Sequence, residues 1–402
     1  MAVIRPREVE FVSYPYEWAF SQLREAALLT LEIQARALRA GMWLRDASAY
    51  NIQFDRGRPV LIDSLSFAPA DVTRPWPAYR QFCQHFLAPL ALMARRDVRL
   101  GLLLRDFIDG LPLDLAAGLL PGRTRLNPGL LAHLHAHAGA ERRALRAPIP
   151  TAASAAASSA AAAPRTPARG PMSAMRHEAL LDSLRRTTES LRWEPAGLWT
   201  EYGLQTSYTE RAAASKRGIV ERMLTAAGGR TVWDVGANTG TYSDLAAGSG
   251  RMVLAFDQDA ASVEHHWRSL TPDRRASILP LVMDLANPSP SLGWGLEERR
   301  SVLDRGPADV VMALALVHHL AIASNVPLPR IASVMGRAGR RLIVEFVPKE
   351  DPMTRQLLAA RPDIFPSYTL DGFRDAFAAE FSLTEEVRVD DSLRTLFLME
   401  RR

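Results

Sequence analysis

The C-terminal half of this chain is predicted to be an α/β domain, with a mostly parallel seven-stranded sheet covered by helices. The N-terminal part is predicted to be mainly helical. Three features carry the α/β expectation. Short apolar runs alternate with helical stretches, the first run ends in a glycine turn, and the last two runs are separated by only a few residues.

The elements follow in order. Thr231–Val235 is apolar and ends at Gly236, and a helix is expected over Thr241–Ala247. Met252–Phe256 is closed by Asp257, and Ser277–Met283 is closed by Asp284. Asp309–Leu314 leads into His318 and His319, and a helix over Val326–Gly336 precedes Arg341–Phe346. Apolar runs of this kind, spaced by helices, imply a buried parallel sheet. Phe381–Val389 and Arg394–Met399 are too close for a parallel crossover, so they are expected to pair antiparallel.

Composition sets the outer bounds. At 402 residues two domains are expected. Residues 147–171, rich in Ala, Ser and Pro, are read as a disordered linker because they carry almost no large apolar side chain. They divide a module of residues 1–146 from one of 172–402. The formal charge of +5 comes from 49 basic residues, of which only Lys216 and Lys349 are lysines. That pattern reflects codon usage rather than a basic surface, and no dense basic block is interleaved with aromatics, so nucleic-acid binding is not expected. Cys83 stands alone, which excludes an intrachain disulfide and a thiolate metal cage. No apolar stretch reaches the length of a membrane span, and the protein is read as soluble and cytoplasmic.

The chemistry concentrates in Asp234-Val-Gly236-Ala-Asn238-Thr-Gly240. Gly236 allows a tight turn after the strand, and Gly240 lets the following helix approach without a Cβ. Asp234 suits an ammonium group. Asp257, 21 residues beyond Gly236, can accept from both hydroxyls of a ribose. Asp284 can accept from an adenine amino group. Asp259 is the better N-cap for the helix after the second run, which leaves Asp257 free. A dinucleotide site would call for Gly-x-Gly-x-x-Gly to cradle a pyrophosphate, and the pattern here is Gly-x-x-x-Gly.

With these residues the region from about 200 to 402 resembles the class I S-adenosylmethionine (SAM)-dependent methyltransferases, which have a Rossmann-like sheet. The resemblance implies SAM as cofactor, with Asp234, Gly236, Asn238, Gly240, Asp257 and Asp284 around it. Tyr202 and Tyr208, ahead of the first strand, could cap the cofactor. His318 and His319 resemble the histidine-bearing loop of small-molecule methyltransferases and are the candidate catalytic bases. Neighbouring histidines are expected to point in different directions, so that one faces the cleft. Glu345 and Lys349 are expected to overhang the same cleft, and no metal site is expected.

In the N-terminal module, Arg45-Asp46, Asn51 and the run Pro59–Asp63 resemble the catalytic and metal loops of kinase-like phosphotransferases. Ser64 and Leu65 stand where that family has Phe-Gly, and there is neither a glycine-rich loop nor a lysine before Lys216. The expectation is a kinase C-lobe-like accessory domain without phosphotransfer. His133 and His137 share a helix face without acidic partners, so a metal there is not expected.

SYPYEW (13–18), LRDASAYN (44–51), IDSLSF (62–67), VWDVGANTG (232–240), ALVHHL (315–320) and EFVPK (345–349) together resemble the nodulation-protein (NoeA-like) methyltransferases. The resemblance implies a bacterial SAM-dependent enzyme acting on a glycan or another cell-surface precursor, and a chain that starts late relative to that family. With Asp234, Asp257 and Asp284 the expected reaction is methyl transfer to oxygen of a small-molecule or glycan acceptor. Two other classes compete with this reading: a scaffold built on a pseudokinase-like module, and an RNA methyltransferase.

Overall fold

The computed structural model describes residues 7–146, 172–195, 209–359 and 362–402. Its contacts divide the described chain into two units. One is mainly helical and comprises 22–53 and the described part of 59–193. The other contains the large sheet and comprises 7–21, 54–58 and the described residues from 194 onward. The expected linker lies outside the described residues, as do Tyr202 and Tyr208.

The helical unit takes in most of α1 (Phe20–Arg39). A small antiparallel pair follows, formed by β1 (Met42–Leu44) and β4 (Phe67–Pro69). Between them in sequence lie β2 (Ile52–Asp55) and β3 (Arg58–Leu61), paired with each other. Further on, α2 (Ala88–Arg95) has an apolar, buried face. Cys83, buried and in no disulfide, lies just before it. His133 is satisfied on both nitrogens, by Tyr79 Oη at 2.9 Å and Ser183 Oγ at 2.9 Å. Ser183 lies on α3 (Ala174–Ser190), and a Cβ at Gly129 would come within 2.0 Å of Thr187 Oγ1 on the same helix. These contacts tie α3 to the helical unit, although it follows the linker in sequence. Asp46 and Asp63 close local turns, accepting from the Ser48 and Leu65 N–H groups.

The sheet unit is built on α4 (Glu210–Ala227) and seven strands. The strands are β5 (Thr231–Val235), β6 (Met252–Asp257), β7 (Ile278–Val282), β8 (Ala308–Ala313), β9 (Gly339–Phe346), β10 (Phe381–Arg388) and β11 (Thr395–Arg401). Their spatial order is β10-β11-β9-β8-β5-β6-β7. Neighbours from β9 to β7 are parallel, and β11 is antiparallel to both β9 and β10. The bounds lie close to the apolar runs for β5 to β8, because strands buried on both faces leave no polar alternation to blur them, while the edge strand β10 is largely exposed. Ile219, Val220 and Met223 of α4 pack with Val232, Val253, Ile343 and Leu398 on one face. Each such burial contributes roughly 1.5–3 kcal/mol. After β5 comes α5 (Thr241–Ala247), after β6 comes α6 (Ala260–Ser269), and α7 (Leu328–Ala338) precedes β9.

The unit boundaries depart from the sequence division at 146/172 in a second respect. Residues 7–21 group with the sheet as a strap. Phe11 packs edge-on against Trp233 and Phe256, with ring centroids 6.2 and 6.3 Å away. The Arg305 guanidinium lies 4.7 Å from the centroids of both Phe11 and Tyr14. It forms a buried ion pair with Glu17, and the Tyr14 hydroxyl accepts from the Arg300 N–H at 2.7 Å. An aromatic run read on its own carries no address for partners some 290 residues later. Among the described residues no helix is long and apolar enough to cross a membrane.

Candidate active site

The parallel strands end at one edge, and the loops there carry the polar groups. Beyond β5 the chain turns through two left-handed positions: Gly236 has φ 79° and Asn238 has φ 50°. The N–H groups of Gly236 and Ala237 both donate to the Phe256 carbonyl, at 2.8 and 3.0 Å. Gly240 has φ 89°, and a Cβ there would lie 2.0 Å from His266 Nε2 on α6. Glycine is therefore required at 240 by conformation and by space alike. A Cβ at Gly236 would come 3.2 Å from Leu316 Cδ1, so the segment after β8 lies against this turn.

Asp234 is buried, and its Oδ2 accepts from Ser243 Oγ at 2.6 Å. Burial pushes its carboxyl up to about 6, with the Ser243 hydrogen bond opposing and the Asp257 charge adding. Asp257 closes β6 and accepts one N–H on each oxygen, from Asn238 at 2.8 Å and from Asp259 at 2.9 Å. Burial raises its pKa, and these N–H groups oppose the rise. Asp259 caps α6 through the Ala261 and Ser262 N–H groups, as the sequence suggested. Asp284 is exposed beyond β7 and holds the Ala286 N–H at 2.8 Å. The adjacent Met283 N–H donates to the Asp257 carbonyl, which keeps these two strand ends side by side.

One atom in this loop is left over. Asn238 Oδ1 is buried and has no hydrogen-bond partner. An unsatisfied buried acceptor carries a desolvation cost that a donor on a ligand would relieve. A carboxylate has about four lone-pair sites, and the Gln258 N–H also lies toward this one, so Asp257 keeps room for a further donor. The turn therefore fits a ligand that brings a hydroxyl and an amine or amide donor, and a nucleoside-bearing cofactor does so.

His318 and His319 follow β8, past Ala315, another non-glycine residue in the left-handed region with φ 51°. His318 is buried, and its Nδ1 has no hydrogen-bond partner; His319 is half-buried. Burial drives both imidazoles below their ordinary pKa, His318 well below, with the Arg394 charge contributing in each case. Their rings lie 4.2 Å apart at 39°, which corrects the expectation that they diverge. His318 already has helical backbone angles, so successive side chains fan out by about 100° instead of alternating across a strand.

A buried charge network beside this segment escaped the sequence reading. Lys216 Nζ donates to Glu345 Oε2 at 2.7 Å and lies 5.0 Å from the Tyr242 ring centroid. Arg394 makes two hydrogen bonds to Asp351, at 2.7 and 3.1 Å, and sits 3.7 Å from Glu345 Oε1. All four side chains are at most 5% exposed. Glu345 and Lys216 were singled out in the sequence; Arg394, Asp351 and Ser243 were not, since nothing local marks them. Lys349 does a different job, clamping Asp363 and the Phe365 carbonyl. Among the described residues no cluster of three or more His, Cys, Asp or Glu could hold a metal.

A sheet whose seventh strand is inserted antiparallel between its fifth and sixth, with a glycine turn after its first strand, has the architecture of the class I SAM-dependent methyltransferases. The protein has the fold of that class. More narrowly, the chain belongs to the nodulation protein NoeA family: it is 34% identical over 397 residues to nodulation protein NoeA of Rhizobium meliloti (strain 1021), spanning 98% of this chain and 80% of that one. No protein-family model matches it. Among solved structures it is similar to WbdD, at a TM-score of 0.35 and 15% identity over 50% of this chain and 42% of that one. It is also similar to the N-methyltransferase NodS from Bradyrhizobium japonicum WM9, at a TM-score of 0.35 and 9% identity over 48% and 97%. A third is the magnesium protoporphyrin IX methyltransferase ChlM from Synechocystis PCC 6803, at a TM-score of 0.35 and 16% identity over 50% and 93%.

Proposed function

We propose that the protein transfers the methyl group of SAM to a hydroxyl oxygen of a small-molecule or glycan acceptor. The observation that carries the cofactor side is the unsatisfied Asn238 Oδ1 beside an Asp257 carboxylate with acceptor capacity to spare. SAM supplies an electrophilic methyl group on a sulfonium. Asp257 accepts from the ribose hydroxyls, and Asn238 Oδ1 accepts a further donor from the nucleoside. Asp234 faces the ammonium end, and Asp284 takes the adenine amino group. Gly236 and Gly240 keep the turn low enough for close approach.

On the acceptor side His319 takes the hydroxyl proton. Its half-buried imidazole is neutral at pH 7 and can accept. His318 packs behind it and positions the ring. Much of the remaining rate comes from holding acceptor and methyl group in line.

Calorimetric titration with SAM tests the cofactor half. Wild-type protein should bind, and Asp257→Ala should weaken binding by at least a hundredfold. Incubation of methyl-labelled SAM with a fractionated lysate tests the rest. Label should enter a hydroxyl-bearing fraction, and His319→Ala should lower the rate without changing SAM affinity. A folded wild-type protein that fails to bind SAM would sink the proposal.

A further inference from the structure

A second concave surface lies on the same edge of the sheet unit. The register pairs Phe346 with Thr395 and Thr395 with Arg388, so β9, β11 and β10 present these ends side by side. Here a groove of about 530 Å³ is lined by Pro348, Glu350, Leu370, Arg388, Leu393 and Thr395, with one more residue of β10. We propose that this groove binds the body of an extended, uncharged, hydroxyl-rich acceptor, a saccharide chain of two or more units, whose far end reaches the histidines after β8. The proposal rests on the methyltransferase reading above and gives its acceptor a size and a chemistry.

The size follows from the sheet. β11 and β10 stand two and three strands from β8 in the order. Pro348 and Glu350 follow β9, the immediate neighbour of β8, so at about 4.8 Å per strand the groove runs from roughly 5 to 14 Å beyond the end of β8. A single ring cannot span to its far end, and a disaccharide or longer chain can.

The chemistry follows from the lining. The second lining residue of β10, Glu386, has its charge met by Arg374. Glu350 and Arg388 are both exposed and of opposite sign, so the groove asks for no net charge on its ligand. A wholly apolar ligand would cover both without giving either a partner. Hydroxyls can donate to the carboxylate and accept from the guanidinium, while the C–H faces of sugar rings lie on Pro348, Leu370 and Leu393. Leu393 is 46% exposed.

The groove is also braced from below. Asp351 follows Glu350, and Arg394 lies between Leu393 and Thr395. Their doubly hydrogen-bonded pair fixes the two walls relative to each other. Arg394 continues to Glu345 and Lys216, so one buried network underlies the groove and the segment beside the glycine turn. A preformed wall of this kind is what a remote binding subsite needs, because binding energy gained there can orient the reacting end.

The test uses the full chain, labelled SAM and the neutral oligosaccharide fraction of a lysate, with its monosaccharide fraction alongside. Leu393→Trp and Glu350→Ala are surface changes. Each should raise the KM for oligosaccharide at least tenfold, leave kcat within about threefold and leave the SAM Kd unchanged. Hydrogen exchange on wild-type protein should slow in residues 388–395 when the oligosaccharide fraction is added. Normal SAM binding with an unchanged KM in both variants would overturn the groove alone. Label entering monosaccharides as efficiently as oligosaccharides would do the same. Wild-type protein that binds no SAM would overturn the reading on which the groove rests, and the groove with it.

Discussion

Two polar regions share the carboxyl edge of the sheet, and they are built in opposite ways. The glycine turn after β5 is local: Asp234, Gly236, Asn238 and Gly240 lie within a few residues, and Asp257 joins from the next strand. It leaves acceptor capacity unfilled at Asn238 and Asp257. The network at the far side of the edge is assembled from four distant segments: Lys216 on α4, Glu345 on β9, Asp351 just beyond it, and Arg394 at the start of β11. There every charge faces an opposite charge. The open region is suited to a ligand and the closed one to holding the fold. Substitutions in the two should therefore move different observables.

The largest effect is expected in the closed region. Glu345→Ala leaves Lys216 and Arg394 buried with one carboxylate fewer between them. Breaking a buried pair from one side costs about 3–5 kcal/mol. For a unit of this size the thermal midpoint should fall by about 6–20 °C, and a scan of apo protein measures it. A drop of only a degree or two would mean that the network contributes little to the fold.

Next comes Asp234, which belongs to the open region although it is buried. Its folded pKa of about 6 stands above the ordinary carboxylate value of 3.8. The native state therefore holds this proton more tightly than the unfolded chain. The stability it contributes is full below about pH 4 and is lost as pH rises through 6, a change of about 3 kcal/mol. Asp234→Asn should accordingly raise the apo thermal midpoint at pH 7.5, with an advantage over wild type that shrinks between pH 6 and 4. The same variant should bind SAM poorly. Wild-type SAM affinity should also weaken below about pH 6, where the carboxylate takes up its proton, as titration at pH 5 and 7.5 would show.

A subtler separation is expected at Asn238. Glycine adopts φ 50° without strain, and Asn238→Gly also removes the unsatisfied oxygen. Apo stability should hold or rise slightly, while SAM affinity falls about tenfold, the equivalent of about 1.4 kcal/mol. Parallel loss of both would make the asparagine a structural residue. Least of all, Lys349→Ala removes an exposed clamp on Asp363 and should cost under about 1 kcal/mol, with the SAM Kd unchanged.

The same contrast governs what could be read in advance. The strands from β5 to β9, and β11, were legible because burial imposes apolar runs, whereas the largely exposed β10 was placed by its nearness to β11. The glycine turn was legible because left-handed backbone positions select glycine and asparagine within a short window. The Lys216–Glu345–Arg394–Asp351 network was not, since its members meet only after α4, β9 and β11 are in place. Lys216 did stand out by type, as one of two lysines among 49 basic residues. The network's other cation, Arg394, is hidden among 47 arginines. The histidine pair was legible as a pair, but its geometry depends on a backbone that turns helical at His318.

The strap also has a consequence for how the protein is made. Glu17 leaves the ribosome 288 residues ahead of the Arg305 that neutralises it. At about 5–20 residues per second that interval is roughly 15–60 s. For most of that time Phe11 has neither Trp233 nor Phe256 beside it, and through all of it Phe11 and Tyr14 lack the Arg305 guanidinium. The sheet-bearing unit therefore cannot complete itself in the order in which it is synthesised. Residues 11–18 wait for their partners until the chain has been made through Arg305, just over three-quarters of the way along this sequence.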